Sequence, residues 1–326
     1  MQEPFIDVHE LMKLDAPAAI AETTEAIRTQ VHYDLGRRGA IVAISGGIDS
    51  SVVAALCVEA LGREHVIGLM LPERDSSEQT LPLSQLLADH LGIRVFTENI
   101  TPILDGCGCY RRRDEAIQSL IPDYGPDYKS KLVNEGLLET GNSHVFSIVV
   151  EAPDGTQQQV ETPIDVLMQV VAATNFKQRT RKMLEYYYAD RFHYAVTGTP
   201  NRLEYELGFF VKNGDGAADL KPVAHLYKSH VFQLARHLGL PQTLIDQTPT
   251  TDTYSLTQTQ EEFYFAMPLE MLDLCLFCKN SGYTIEQTAT ATELTASQVE
   301  AVFADIVSKR TMGEYLRLPP LMVEKG

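Results

Sequence analysis

Basic residues and cysteines are both scarce in this sequence of 326 residues. Lysine and arginine number 27 against 44 aspartates and glutamates, which gives a formal charge of −17. Since a surface of that sign repels polyanions, we expect no nucleic acid as the main partner. The five cysteines are an odd number and include a single C-x-x-C pair, Cys275 and Cys278. This count argues against a disulfide framework, and a structural zinc site would need a second pair at a matching spacing.

Long apolar runs are also missing from the chain. No stretch approaches the roughly 18 residues that a membrane span requires. The N-terminal "MQEPFIDVHELMKLD" is mixed and acidic, unlike a signal peptide. We therefore expect no membrane partner and a cytoplasmic location. A hydrophobic share of 44% and a charged share of 22% are typical of a soluble globular protein, and we interpret residues 1–326 as a single domain.

The order of apolar segments predicts the fold class. The predicted strands are 40–44, 65–71, 93–100 and 193–198, and the predicted helices are 17–37, 50–61, 77–92, a long stretch from 165, and 226–240. Strands that alternate with helices in this way form a parallel sheet with helices on both faces and right-handed crossovers. The prediction is an α/β fold.

Residues 105–163 interrupt this alternation. The turn "APDGT" lies between two β-prone runs and predicts a hairpin over 144–162. We interpret 105–163 as an insertion that carries a helix and a hairpin. The sequence leaves open whether this insertion is a lid or an oligomer contact. The C-terminal residues 266–326 are predicted to form small helices.

The motif "SGGIDSS" at 45–51 lies between a predicted strand and a predicted helix. A strand that turns through glycines into a helix directs several backbone N–H groups and the positive end of the helix dipole at one point, which suits a phosphate. The motif lacks the G-K-[ST] ending of the Walker loop. A tight strand–helix turn with a capping aspartate is the alternative interpretation.

The same motif resembles the pyrophosphate loop of the N-type ATP pyrophosphatases. That resemblance implies a Rossmann-like sheet of the adenine nucleotide alpha hydrolase-like kind. It also implies that Asp49 holds a Mg²⁺ ion. The residues of the loop that would bind ATP are Ser45, Gly46, Gly47, Asp49, Ser50 and Ser51.

A longer stretch, "TGTPNRLEYELGFFVKNGDGAADLKPVAHLYKS" at 197–229, is similar to ammonia-dependent NAD synthetase. The resemblance covers most of 17–274, apart from the insertion. It implies that Glu204 is the second acidic Mg²⁺ ligand, at the carboxyl end of the fourth strand, where ligands of such sheets gather. Thr199 and Lys228 would contact ATP. Arg74, in "LPERDSS", matches a family arginine near the adenosine of ATP.

The second substrate that the resemblance implies is deamido-NAD. Asn175 and Arg179 come from "NFKQRTR", which resembles the family pattern N-x-x-A-R-x-R, and the implied substrate-binding residues are Asn175, Arg179, Lys212, Asp215 and Asp219. Asp215 and Lys228 are the implied catalytic groups. Taken without the resemblance, Glu204 fits a surface carboxylate, Lys228 and the basic run "KQRTRK" fit solvated helix faces, and Asp215 and Asp219 fit turns.

The function implied by the resemblance is the ATP-dependent amidation of deamido-NAD with ammonia by a homodimer. An acyl-adenylate would form, and AMP and pyrophosphate would be released. Only about 38 residues precede the first strand, too few for a glutamine amidase domain, so free ammonia is the expected donor. The segment 253–267 departs from the family pattern at "QEEFYFA". An amide synthetase for another carboxylate and a non-catalytic nucleotide sensor therefore stay open as alternatives.

Overall fold

The structure is a computed structural model that describes residues 10, 12–134, 136–140, 145–251 and 253–323. The N-terminal segment "MQEPFIDVHELMKLD", which is unlike a signal peptide, lies mostly outside the described residues. So does His144, at which the predicted hairpin begins.

A parallel sheet of four strands in the order β3–β2–β1–β7 forms the centre of the fold. Its strands are β1 (Ala40–Ala43), β2 (Val66–Met70), β3 (Arg94–Thr97) and β7 (Ala195–Thr197). Ala40 pairs with Val66 on one side and with Ala195 on the other. Because the strand order reverses at β1, the crevice expected of such sheets lies outside the carboxyl ends of β1 and β7. The predicted parallel α/β fold is confirmed.

Helices cover both faces of this sheet because the strands are apolar on both sides. One face carries α1 (Ala16–Thr29), α2 (Ile48–Leu61), α3 (Thr80–Leu91) and α9 (Lys228–His237). The opposite face carries α4 (Thr101–Gly106), α5 (Cys109–Gln118) and α7 (Ile164–Phe192). The predicted helix 17–37 is regular only to Thr29 and continues as a π-helical turn, Gln30–Asp34. The helix predicted from 226 begins at Lys228, since Tyr227 has an extended backbone.

A second sheet lies within the predicted insertion. It is antiparallel, in the order β4–β5–β6, with strands β4 (Lys129–Asn134), β5 (Phe146–Glu151) and β6 (Gln157–Glu161). The predicted hairpin is confirmed by the pairing of β5 with β6. Its turn has Gly155 at a φ of +83°, which glycine adopts without strain. The sequence interpretation missed β4, which pairs with β5 from Lys129 to Asn134.

The remaining helices form the C-terminal part of the molecule around a separate apolar cluster. They are α6 (Leu137–Thr140), α8 (Arg202–Leu207), a π-helical turn (Glu261–Phe265), α11 (Leu269–Asn280), α12 (Ile285–Thr292) and α13 (Ala296–Arg317). Phe265, Leu272, Cys275, Val302 and Ile306 are buried together there. The short α10 (Gln242–Ile245) belongs instead to the parallel sheet, where Leu244 and Ile245 join its apolar cluster. Among the helices of the described residues, none is both long and apolar enough to span a membrane.

Candidate functional site

The segment between β1 and α2 forms a helix N-terminus that points into the crevice. Gly46 has a φ of +75°, and a Cβ there would lie 2.6 Å from the Cβ of Leu83, so only glycine fits. Gly47 is the N-cap of α2, and no side chain of the described residues caps that helix. The hydroxyls of Ser50 and Ser51 both donate to the Gly47 carbonyl, each at 2.9 Å. The first N–H groups of α2 are therefore available to an anion.

Asp49 lies in the first turn of α2 and is held by residues from two other elements. Its Oδ1 accepts a hydrogen bond from Nδ2 of Asn201 at 2.9 Å. Its Oδ2 forms an ion pair with Nζ of Lys228. Asp49, Asn201, Glu204 and Lys228 are called the carboxylate cluster below. The cluster lies where the carboxyl ends of β1 and β7 meet, as the switch point of the sheet predicts.

Asn201 connects the two carboxylates of the cluster. It is fully buried and is the N-cap of α8, where its Oδ1 accepts from the Glu204 N–H at 3.2 Å. The Glu204 carboxylate accepts in return from the Asn201 N–H at 3.1 Å, which completes a capping box. Since Oδ1 caps the helix, Nδ2 is left to hold Asp49. The sequence interpretation quoted Asn201 within its motif but gave it no role.

Glu204 is buried, and its ionisation is opposed. Burial and then the neighbouring charge of Asp49 raise the pKa of Glu204 to about 7, although Lys228 acts in the opposite sense. Burial lowers the pKa of Lys228, but the charges of Asp49 and Glu204 outweigh it and the pKa lies above its usual value. Lys228 is therefore a fixed cation. The surface-carboxylate interpretation of Glu204 and the solvated-helix interpretation of Lys228 are both wrong, because the two residues are 8% and 4% exposed.

Lys228 is positioned by an aspartate that the sequence interpretation missed. Lys228 is the first residue of α9, and Tyr227, the N-cap, makes no side-chain cap. Asp273 of α11 supplies the cap from a distance, accepting from the N–H groups of Lys228 at 3.1 Å and Ser229 at 2.8 Å. The available sequence signal is a single carboxylate inside the apolar run "MLDLCLF".

The nucleotide-side residues Arg74 and Thr199 lie near the same sheet edge. Arg74 follows β2 and stacks on the ring of Tyr110, with its guanidinium carbon 3.7 Å from the ring centroid. Thr199 follows β7, two residues before Asn201, and is half-buried. The expected contacts of both residues with ATP stay predictions.

Three of the residues expected to bind the second substrate, Arg179, Lys212 and Asp215, lie together around 211–216. The Arg179 guanidinium donates to the Lys212 carbonyl at 3.2 Å, whereas the Lys212 amine donates to the Tyr315 carbonyl at 2.7 Å. Asn175 lies half-buried on α7, one turn before Arg179. Lys212 thus joins this group to the end of α13.

Two aspartates of this region accept hydrogen bonds that stabilise the fold. Asp215 accepts from the Val211 N–H at 2.8 Å, and burial raises the pKa of its carboxyl although nearby main-chain donors oppose the shift. Asp219 accepts from the Val196 N–H at 2.8 Å and from the Tyr186 hydroxyl at 3.2 Å. The contacts of Asp219 are those of a residue that fixes β7, in line with its turn interpretation.

Several known proteins resemble this chain. The NAD synthase family model matches residues 19–118 and 139–319. The chain is 50% identical over 313 residues to the NH(3)-dependent NAD(+) synthetase of Rhizobium meliloti strain 1021, which covers 96% of this chain and 93% of that protein. It is 48% identical over 317 residues to the enzyme of the same name from Mesorhizobium japonicum, over 97% of this chain and 99% of that protein.

Solved structures share the fold at much lower sequence identity. The NH3-dependent NAD synthetase of Campylobacter jejuni, solved with a nitrate ion, superposes with a TM-score of 0.62 at 21% identity, over 96% of this chain and 100% of that chain. The NMN synthetase of Francisella tularensis gives a TM-score of 0.61 at 21% identity, over 96% of this chain and 100% of that chain.

Proposed function

The chain belongs to the NAD synthase family, and from that premise we propose that its carboxylate cluster promotes attack of a carboxylate on the α-phosphate of ATP. The reaction is the ATP-dependent amidation of deamido-NAD with ammonia to NAD. The carboxylate is a poor acyl donor because oxide is a poor leaving group. Attack on the α-phosphate converts it to an acyl-adenylate and releases pyrophosphate, and ammonia then displaces AMP.

The observation that carries this proposal is the junction made by Asn201, which fixes Asp49 of the β1 side to Glu204 of the β7 side. The leaving pyrophosphate would lie on the uncapped N-terminus of α2, against Ser45, Gly46 and Gly47. Lys228, a buried cation at the same point, would neutralise part of its charge. Arg74 and Thr199 would hold the rest of ATP, so that the reacting atoms are in line.

The donor set of the cluster fits Mg²⁺. Asp49 and Glu204 offer carboxylate oxygens, the ligands that this ion prefers, and a bound cation would offset the charge of Asp49 that opposes the ionisation of Glu204. Within the described part of the chain no three His, Cys, Asp or Glu converge on one point, so phosphate oxygens and water would complete the coordination. Mg²⁺ would supply charge stabilisation at the phosphates.

The group around 211–216 would bind the nicotinate end of deamido-NAD. Arg179 and Asn175 would contact the dinucleotide from α7, and the Lys212 amine would exchange the Tyr315 carbonyl for the substrate. Asp215 would hold ammonium beside the acyl carbon and accept its proton. Burial, which raises the pKa of Asp215, makes the carboxylate a better base.

We extend the proposal to a homodimer. Exposed apolar side chains lie on α7 in two pairs, Ile164 with Met168 and Met183 with Tyr187; the members of each pair are about one turn apart and each is more than half exposed. Single exposed apolar residues are ordinary, but groups of them mark an interaction surface. Arg179 lies one turn before Met183, so a second copy covering that pair would border the dinucleotide site.

A cytoplasmic location belongs to the same proposal. All five cysteines are free thiols, and four of them are buried. Free buried thiols fit a reducing compartment.

The test is a direct assay with ATP, Mg²⁺, ammonium and deamido-NAD, in which NAD and AMP are measured together. We expect both to form in equal amounts, to require the metal, and not to form with glutamine in place of ammonium. Nicotinic acid mononucleotide is the control acceptor. Preference for the mononucleotide, or AMP release without any amide product, would overturn the assignment.

A further inference from the structure

Lys177 is a fully buried lysine outside the carboxylate cluster. Its amine donates to Oε1 of Glu73, to Oδ2 of Asp75 and to the carbonyl of Thr253, each at 2.7 Å. All three donors of the ammonium group are thus used, which a buried charge requires. Glu73 and Asp75 flank Arg74 on the nucleotide side, so Lys177 ties that side to the segment that begins at Thr253.

The segment 253–260 is fixed a second time, on strand β4. The Leu256 N–H donates to the Ser130 carbonyl at 3.2 Å, and the Ser130 N–H donates to Oγ of Ser255 at 2.9 Å. Gln258 is 2% exposed, and its Nε2 donates to the Leu132 carbonyl. One main-chain and two side-chain hydrogen bonds therefore attach the segment to β4.

A buried aromatic side chain strengthens this attachment. Tyr254 is 5% exposed and belongs to the apolar cluster of the antiparallel sheet, with Ile117, Leu132, Ile148 and Val150. Its ring lies 5.6 Å from that of Phe263, centroid to centroid. The segment therefore contributes to the core of the insertion and is not a free surface loop.

The other end of the segment reaches the carboxylate cluster. Gln260 donates from Nε2 to Oε1 of Glu204 at 2.9 Å. The segment thus runs from the loop that carries Arg74 to Glu204, across the space in which ATP and the activated carboxylate would meet.

We propose that Gln258 is a positioning residue, which fixes segment 253–260 to β4 and so holds Gln260 against Glu204 as a cover over the acyl-adenylate. The idea rests on the proposed function. The proposal also assigns a role to the insertion, namely to hold segment 253–260. Strand β4 lies within 119–138, the stretch that the NAD synthase model does not match.

The cover matters because water competes with ammonia for the acyl carbon. When water attacks, the bond between the acyl carbon and the phosphate oxygen breaks, deamido-NAD and AMP are released, and the protons of the water pass to solvent. ATP is then spent without formation of NAD. The ratio of AMP to NAD therefore reports whether segment 253–260 is in place.

The test uses the full chain and the variant Gln258→Leu, which keeps the side-chain volume and removes the amide. Gln118→Leu is the matched control, because the Gln118 amide also donates to a main-chain carbonyl of the insertion, that of Tyr124 at 2.8 Å. Hydrogen exchange of the peptide covering 253–260 is followed by mass spectrometry without substrates. AMP and NAD are then measured with ammonium.

We expect exchange of this peptide to become about tenfold faster in Gln258→Leu and the AMP-to-NAD ratio to rise at least about twofold, with neither change in Gln118→Leu. Unchanged exchange, or faster exchange with an unchanged ratio, would refute the positioning role. If Gln258→Leu does not fold, Ser255→Ala removes a neighbouring anchor and is judged by the same two readouts. A wild-type chain that forms no NAD would refute the proposed function, whereas the exchange data would still decide whether the segment is anchored.

Discussion

Asp273 offers the sharpest test of how the fold places Lys228. Its two carboxylate oxygens are the only side-chain partners, among the described residues, for the N–H groups of Lys228 and Ser229. Replacing Asp273 by alanine leaves both donors of α9 without an acceptor in a buried place. We expect the first turn of α9 to loosen and Lys228 to move away from Asp49.

The expected change in the free energy of unfolding of Asp273→Ala is the balance of opposing contributions. A lost N-cap costs about 0.5–2 kcal/mol, and hydrogen bonds to a charged group contribute about 1.5–3 kcal/mol each. Burial raises the pKa of Asp273 despite the N–H groups that it accepts, so its removal also relieves a desolvation penalty. We therefore expect a net loss near 2 kcal/mol in the free energy of unfolding. Because a displacement of about 1 Å can cost roughly a hundredfold in rate, kcat should fall about 10- to 100-fold.

Unfolding in urea, followed by circular dichroism, gives the stability, and NAD formation gives the rate. Asp273→Asn keeps one acceptor oxygen and should fall between wild type and Asp273→Ala. Glu270→Ala is the control, because Glu270 is an exposed carboxylate on the same helix. If folded Asp273→Ala kept the wild-type kcat, or lost less than about 0.5 kcal/mol, the account of Lys228 positioning would be wrong.

Three further predictions concern separate parts of the molecule. Lys228→Met should remove NAD formation by about 10³-fold or more while the circular dichroism spectrum stays native. Burial opposes the ionisation of Asp75, but the charges of Lys177 and Arg113 outweigh burial and lower the pKa of Asp75. The ionised Asp75 carboxylate therefore stabilises the folded protein fully above the unfolded pKa near 3.9. This contribution is lost as the pH falls through the lower pKa of the folded state. Asp75→Asn should thus cost about 3 kcal/mol at pH 7 and clearly less at pH 3, as measured in urea; an equal loss at both would contradict the ion pair. Met168→Glu should shift a dimer to monomer in size-exclusion chromatography, whereas a wild-type monomer at micromolar concentration would refute the α7 interface.

The sequence allowed the sheet and the phosphate-loop geometry to be predicted because both depend on local patterns. Strands β1 and β2 are continuous apolar runs. The glycines of 45–51 indicate a tight turn between a strand and a helix, which can be recognised from a few neighbouring residues. Glu204 was singled out through the resemblance of its motif, and its role as a Mg²⁺ ligand stays a prediction. Each of these features is encoded within one short stretch.

Features that depend on distant partners were missed. Four of the six residues of β4 are polar, and its strand conformation depends on pairing with β5. Asp273 caps a helix that begins 45 residues earlier. The solvated-face interpretation of "KQRTRK" fails at Lys177 and Lys182, which are 0% and 5% exposed, because acidic partners from other turns and segments surround them.

The side-chain amide of Asn201 both caps α8 and holds Asp49, so the two contacts depend on one side chain. Serine at 201 would still start α8, but its short hydroxyl would not reach Asp49, and aspartate would add a third negative charge beside Asp49 and Glu204. A substitution at position 201 is therefore expected to lower both the stability of the fold and the activity. This position should tolerate fewer amino acids than its neighbours Pro200 and Arg202.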